Sequence, residues 1–197
     1  MKKFLLSTGL VLGLEAAFYW IVKIFQYNYN TFYLNVDYTI PFINYFVYVY
    51  DLFYPFTFLC LFIMYNHNKK VYKKALIGLT IGFIVCCIMF IIYPTIIIRP
   101  DVKVDSFTNL VLYITYKADT PAINCFPSIH CLFMFQMIFS MLQIDISKYK
   151  KLLAVIFAIL VILSTLFIKQ HYVMDVIISF VICLIINLII KFKTSNN

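Results

Sequence analysis

The stretch ALIGLTIGFIVCCIMFIIYPTIII, Ala75 to Ile98, runs for 24 residues without a charged side chain. About 20 apolar residues in a helix are enough to cross the roughly 30 Å hydrocarbon core of a bilayer. Lys73 and Lys74 precede this run and Arg99 follows it, as expected where a span meets the two interfaces. Comparable runs lie on both sides: Phe4 to Phe25, Phe42 to Tyr65, Ile129 to Ile144, Leu152 to Ile168 and Tyr172 to Ile190. The pattern predicts an all-α, polytopic membrane protein of six transmembrane helices.

Composition excludes an ordinary soluble domain. Apolar residues make up 64% of the 197-residue chain and charged residues 12%, against roughly 45–50% and 25% in soluble domains. The net charge of +8 would suit a nucleic-acid binder, but the placement of the cations does not. Lys2 and Lys3 precede the first span. Lys69, Lys70, Lys73 and Lys74 join the second to the third, Lys148, Lys150 and Lys151 join the fourth to the fifth, and Lys191 and Lys193 follow the sixth. These are membrane anchors that attract anionic lipid, so the bilayer is the expected partner and nucleic acid is not. The positive-inside rule assigns the basic segments and both termini to the cytoplasm and puts residues 26–41, 99–128 and 169–171 outside.

The N-terminal run resembles a secretory signal, but it continues past Glu15 with no convincing cleavage site, which reads as an uncleaved signal anchor. The cysteines, Cys60, Cys86, Cys87, Cys125, Cys131 and Cys183, show no C-x-x-C spacing and read as packing residues. No repeat or linker divides the chain, so residues 1–197 are expected to form one domain, with a motif-bearing core at 94–175.

Ionisable residues at a membrane edge are costly, and those that are not lysine anchors are where function is sought. Three clusters share the predicted outer face: Tyr93 to Pro100, Phe126 to His130 and Ser164 to Asp175. His130 and His171 are separated by a descending helix, a basic turn and an ascending helix. At about 1.5 Å per residue each arm covers about 25 Å, so the hairpin returns His171 to the level of His130. Asp175 lies one turn beyond His171 on the same face. There it can accept from one ring nitrogen and leave the other as a nucleophile. Arg99 offers a permanently charged fork for phosphate oxygens, and Ser128 opens a helix N-terminus with donors of its own. His130 is then placed to protonate a leaving oxygen.

The order Arg-Pro at Arg99, Pro-Ser-x-His at Pro127 to His130, and Ser-x6-His-x3-Asp at Ser164 to Asp175 resembles the phosphatidic acid phosphatase type 2 (lipid phosphate phosphatase) superfamily. That resemblance implies a six-helix membrane enzyme without metal or cofactor, acting on a phosphorylated lipid through phosphohistidine at the outer face of the cell membrane. It implies His171 as nucleophile, His130 as general acid, Asp175 as orienter, and Arg99 and Ser128 as phosphate ligands. Three positions depart from the superfamily's pattern: Ile92 where a lysine is expected, Ile129 for glycine, and Thr165 for arginine. Lys169 is the candidate that restores a positive charge to the phosphate site. The Phe-Pro-Ser-x-His and Lys-Gln-His-Tyr-x-x-Asp wording resembles the branch similar to inositol phosphorylceramide synthases, which keeps a lipid phosphotransferase with an alcohol acceptor open.

Other readings compete with this one. A non-enzymatic lipid-binding or transport protein would place its function at Glu15 and Asp51, which are otherwise expected to hydrogen-bond within the bundle. A metal site of His130, His171 and Asp175 has acceptable ligand types but lacks a metal-binding motif. His67 reads as a solvated turn residue.

Overall fold

Backbone polar groups find no water in hydrocarbon, so apolar runs of this length satisfy them internally by folding as helices. The computed structural model describes residues 1–195, with side chains as far as Lys191; the Lys193 side chain of the terminal basic group lies outside them. The helices, in order, are α1 (Lys2–Ile24), α2 (Asn35–Thr39), α3 (Val47–Asp51), α4 (Phe53–His67), α5 (Lys69–Ile92), α6 (Phe107–Ala118), α7 (Ile129–Met141), α8 (Lys148–Phe167) and α9 (Val173–Ser195). Extended pairing among the described residues is confined to two isolated bridges, Asn30 with Thr95 and Ile96 with Ile123.

Among the described residues, five stretches are long and apolar enough to cross a membrane: Lys2–Ile24, Asn44–His67, Lys69–Ile92, Lys148–Phe167 and Val173–Lys191. The fourth expected span differs. Helix α7 stops at Met141, and its 13 residues reach only about 20 Å at 1.5 Å per residue. Protein packed around it explains why. Leu132, Phe133, Met134 and Met137 are all buried, as is Ile144 in the turn beyond. A helix enclosed by others need not match the lipid thickness, because irregular backbone at its ends is covered by protein.

Two other spans are shorter or more broken than their apolar runs. Helix α5 ends at Ile92, and Tyr93 turns extended at φ −134° and ψ 72°, because a residue preceding a proline, here Pro94, is pushed out of the helical region. The second run breaks at Leu52 between α3 and α4, and Phe56 N–H restarts the ladder on Leu52 O at 2.9 Å. Pro55 sits in that first turn, where its missing N–H costs nothing. The connection at 99–128 contains α6. This helix buries Thr108, Leu112 and Tyr116 on one stripe and exposes Phe107, Tyr113 and Ile114, a pattern that suits a helix lying along the membrane boundary.

Side-chain caps set the helix starts. Asn68 accepts from Lys70 and Val71 N–H at α5, Ser106 from Asn109 N–H at α6, Ser128 from Cys131 N–H at α7, and Ser147 from Lys150 N–H at α8. Each satisfies a donor the helix leaves orphaned. Three loops meet at the motif end. Asn30 N–H donates to Pro94 O at 2.9 Å, Ile96 N–H to Asn30 O at 3.0 Å, and Ile97 N–H to Ala122 O at 3.0 Å.

Helix α7 packs against α4, α5, α8 and α9. Cys131 meets Thr165 of α8, whereas Ser128 meets Ser179 and Gln136 meets Asn187 of α9. It therefore runs antiparallel to α8 and parallel to α9. Gly78 and Gly82 let α5 approach: a Cβ at 78 would sit 2.5 Å from Gln136 Oε1, and one at 82 would sit 2.5 Å from Leu132 Cδ2. Small residues four apart are the usual means of bringing membrane helices close. We expect Gly82→Leu to cost about 1–3 kcal/mol through overpacking. Gly13→Leu, where an added Cβ meets nothing within 4 Å, should be neutral. Thermal unfolding of the two variants in detergent checks the pair; equal losses would contradict the packing.

Candidate active site

The loop between α8 and α9 is held by one carbonyl. Gln170 N–H and His171 N–H both donate to Thr165 O, at 2.8 and 3.1 Å, and Lys169 takes the left-handed region at φ 53° to make the turn. The Tyr116 hydroxyl donates to Ile168 O from α6. Asp175, in the first turn of α9, accepts Tyr172 N–H at 2.8 Å through Oδ2. The same oxygen lies 3.2 Å from His171 Nδ1, and Cys125 O lies 3.0 Å from it. Both neighbours of Nδ1 are acceptors, so Nδ1 carries the proton and Nε2 is left with its lone pair.

His130 occupies the first turn of α7, with Tyr50 at 4.6 Å and Phe53 at 4.5 Å between ring centroids. Its ring centroid is 5.7 Å from that of His171. The spacing from helix arithmetic is thus realised, and both rings line a cavity of about 360 Å³. Aromatic and aliphatic side chains, among them Phe53, Phe83, Phe133 and Ile129, form much of its wall, and Asp119, Gln170 and Glu15 add polar groups. Cys125 lies at the same place. Burial pushes its thiol well above the ordinary range, reinforced by the Asp175 charge, so it stays a thiol and does not compete as a nucleophile.

Arg99 is more tightly held than a free phosphate fork. One terminal nitrogen donates to Asp119 Oδ2 at 2.5 Å and to Gln170 Oε1, and the other donates to Tyr116 O at 3.1 Å and Asp119 O at 3.3 Å. Its guanidinium also lies 4.9 Å from the Tyr116 ring centre. Two buried donors at this corner have no partner, Arg99 Nε and Gln170 Nε2. Unsatisfied buried donors are rare in native structures; one on Gln170, which lines the cavity next to His171, and one on its partner Arg99 fit an anionic ligand.

Asp119 is the hub of this corner and carries no motif in the sequence. Its Oδ1 accepts from the Tyr19 hydroxyl at 2.6 Å and the Lys23 amine at 2.7 Å, while Oδ2 takes Arg99. Burial raises its carboxyl, but Lys23, Tyr19 and Arg99 outweigh that and hold it below the usual carboxylate range. Lys23 is the cation that sequence reasoning missed. It lies at the opposite end of α1 from Lys2 and Lys3, and that breach of the lysine pattern was the available signal. It brings positive charge to Arg99's carboxylate partner, whereas Ile92 and Thr165 bring none.

Of the expected site residues, the structure gathers His130, His171 and Asp175. Ser128 joins them through its N–H, 3.4 Å from Asp175 O, though it is fully buried and its hydroxyl caps α7. Arg99 reaches the group through Gln170. Lys169 is not brought there: its amine donates to Ile40 O at 2.6 Å and Asp37 O at 3.2 Å, tying the loop to α2. The left-handed turn at Lys169 sends its side chain to a different face from His171. Asp51 accepts from the Thr115 hydroxyl at 3.1 Å, as a bundle hydrogen bond would have it. Glu15 departs from the same expectation, because neither of its carboxylate oxygens has a partner. The described residues contain no group of three or more His, Cys, Asp or Glu able to hold a metal ion.

The profile of the PAP2 superfamily matches residues 97–196, half of the chain and the half that carries Arg99, His130, His171 and Asp175. The chain belongs to the PAP2 superfamily. No curated protein and no solved structure matches it significantly. Membership gives the PAP2 chain a superfamily of lipid phosphatase and phosphotransferase type, and the five membrane-length apolar stretches among the described residues make it a multi-pass membrane protein.

The Asp119 hub has a testable consequence. Asp119→Asn leaves two cations short of a carboxylate, and we expect it to cost about 1–3 kcal/mol, below the full cost of breaking a buried pair because the side chain keeps 24% exposure. The folded-state carboxyl titrates lower than the unfolded one, so wild type holds this advantage above the ordinary carboxylate range and loses it as pH falls through the depressed value. Unfolding temperatures of wild type and variant should differ fully at pH 6, begin to converge only below about pH 4 and meet once the pH lies below the depressed value. A gap that persists in acid would rule out the charge interaction as its source.

Proposed function

We propose that this PAP2 superfamily protein is an integral-membrane lipid phosphate phosphatase that hydrolyses a phosphate monoester or diphosphate through a phosphohistidine intermediate. The observation that carries this reading is His171, whose Nδ1 proton is fixed by Cys125 O and Asp175 and whose ring faces His130 across a shared cavity.

In the first step His171 Nε2 attacks phosphorus while the ester oxygen leaves, taking a proton from the imidazolium of His130. The positive charge that develops on His171 is stabilised by Asp175 through Nδ1–H. In the second step His130, now neutral, takes a proton from water as the water oxygen attacks phosphorus, which frees His171 and releases phosphate. Arg99 Nε and Gln170 Nε2, the unpartnered donors, are the proposed ligands of the phosphate oxygens, and the N-terminus of α7 at Ser128 adds its dipole. No step calls for a metal. The cavity size suits a phosphorylated headgroup with part of its chain.

The lysine clusters at one end of the bundle support six spans with both termini cytoplasmic, the short α7 being the fourth, and a site at the extracytoplasmic face of the cell membrane. One domain accounts for the whole.

A lipid-phosphate panel on purified protein, with and without alcohol acceptors, tests the reading. Wild type should release phosphate and form an acid-labile, base-stable phosphoenzyme, and His171→Ala should do neither. Arg99→Ala should lower turnover by about 10²-fold, the scale of losing an electrostatic ligand of the transition state. Lys169→Ala should change it by less than about threefold, its amine being occupied by backbone carbonyls. Turnover retained in His171→Ala would overturn the mechanism, and formation of phosphodiesters in place of phosphate would convert the reading to a transferase.

A further inference from the structure

Helix α1 carries a polar stripe in its second half. Glu15, Tyr19 and Lys23 are four residues apart and share a face. The upper two have matched partners, since Tyr19 and Lys23 both donate to Asp119 Oδ1. Glu15 has none. It is 6% exposed, and both carboxylate oxygens are buried without a hydrogen bond. At about 1.5 Å per residue it lies about 12 Å below Lys23 along the helix. It lines the cavity that holds His130 and His171.

A buried carboxyl without partners in the hydrocarbon region is costly enough to need an explanation. The cavity's own donors do not reach it: Tyr54 and Trp20 line the same space, yet neither carboxylate oxygen of Glu15 has a donor within hydrogen-bond distance, and Asp51 and Asp119 there are acceptors already engaged. The place is open to a donor that enters from outside the chain. An alkyl-bearing ligand fits this space better than a small hydrated one, because aromatic and aliphatic side chains form much of the cavity wall.

We propose that Glu15 is a recognition residue for a hydrogen-bond-donating group, a hydroxyl or an ammonium, on the lipid that occupies the cavity. The assignment rests on the phosphatase reading only in taking a lipid as occupant. It makes α1, which lies outside the family-matched segment, a specificity element: a lipid lacking a donor at this depth leaves the carboxyl unpartnered and is disfavoured. Sites built to bond a donor discriminate against analogues without one far more strongly than apolar pockets discriminate by shape.

The test uses the 197-residue chain purified in detergent and three single-chain lipids of one length, ending in a hydroxyl, an ammonium or a methyl ether. Binding is read from the shift in thermal unfolding as each is titrated into the micelle. Wild type should bind at least one donor lipid about tenfold more tightly than the ether, the scale of leaving a buried acceptor unsatisfied. Glu15→Leu should abolish that difference. Glu15→Gln separates the two donors: it should keep preference for a hydroxyl and lose preference for an ammonium. Equal binding of all three lipids to wild type would overturn the proposal. So would a donor preference that survives in Glu15→Leu, or a soluble alcohol such as glycerol displacing the donor lipid at comparable concentration. The wild-type comparison stands even where a variant fails to fold. None of the probes carries phosphate, so the outcome is independent of the phosphate-release assay that decides the phosphatase reading.

Discussion

Asp175 ties together the parts of the bundle on which the site depends. Its carboxylate accepts Tyr172 N–H and faces His171 Nδ1, while its backbone carbonyl accepts Ser128 N–H and the Ser179 hydroxyl. One residue therefore starts α9, orients the histidine and fixes the N-terminus of α7. At 1% exposure it is shielded from competing water, so these bonds act in a low-dielectric setting where each is electrostatically stronger than at a surface. The carbonyl of Thr165 completes the constraint by receiving Gln170 and His171 N–H. His171 is thus held from above, below and behind, which is what a reacting nitrogen needs if its direction is to be set before a substrate arrives.

The positive side of the pocket is organised by the same logic across longer stretches of chain. Lys23, Arg99 and Asp119 come from the end of α1, an extended segment and the loop after α6, and none has a local signature announcing the others. Bringing two cations together at a membrane edge is unfavourable without a counter-charge, and Asp119 supplies it. The arrangement also explains how the chain tolerates Ile92 and Thr165 at positions where the superfamily carries cations. Charge near Arg99 is drawn from α1, and Thr165, fully buried against Cys131, has no room or solvent access for an arginine.

What was legible in the sequence was whatever repeats with a short period or follows from length. The apolar runs announced the helices because each covers several turns, and the meeting of His130 with His171 followed from two arms of similar length around a basic turn. The end of α5 was misjudged, because the apolar run continues to Ile98 whereas Pro94 stops the helix at Ile92. What escaped was pairing at a distance. The Lys23–Asp119 and Lys169–Asp37 contacts join residues about a hundred or more positions apart, and Gln170 became visible only when the turn at Lys169 directed it toward Arg99. The shortness of α7 escaped for a related reason, because an apolar run does not reveal whether its neighbours are lipid or protein.

Polar groups inside the bundle fall into two kinds, and hydrogen-bond satisfaction separates them. Gln136 sits deep between α5, α7 and α9, donates to Ser140 and Asn187, and accepts from Asn187 and Cys183. Every capacity is used, so it behaves as structural glue that fixes helix register. Glu15, Arg99 Nε and Gln170 Nε2 are as inaccessible as Gln136 but lack partners. Retaining such groups in a membrane protein works against stability unless something binds them for part of the time. Gln170 and Glu15 line one cavity, and Arg99 joins it through Gln170; donors at the histidine end and an acceptor deeper along α1 describe the polarity of an amphiphile, an anionic head and a donor further along its length.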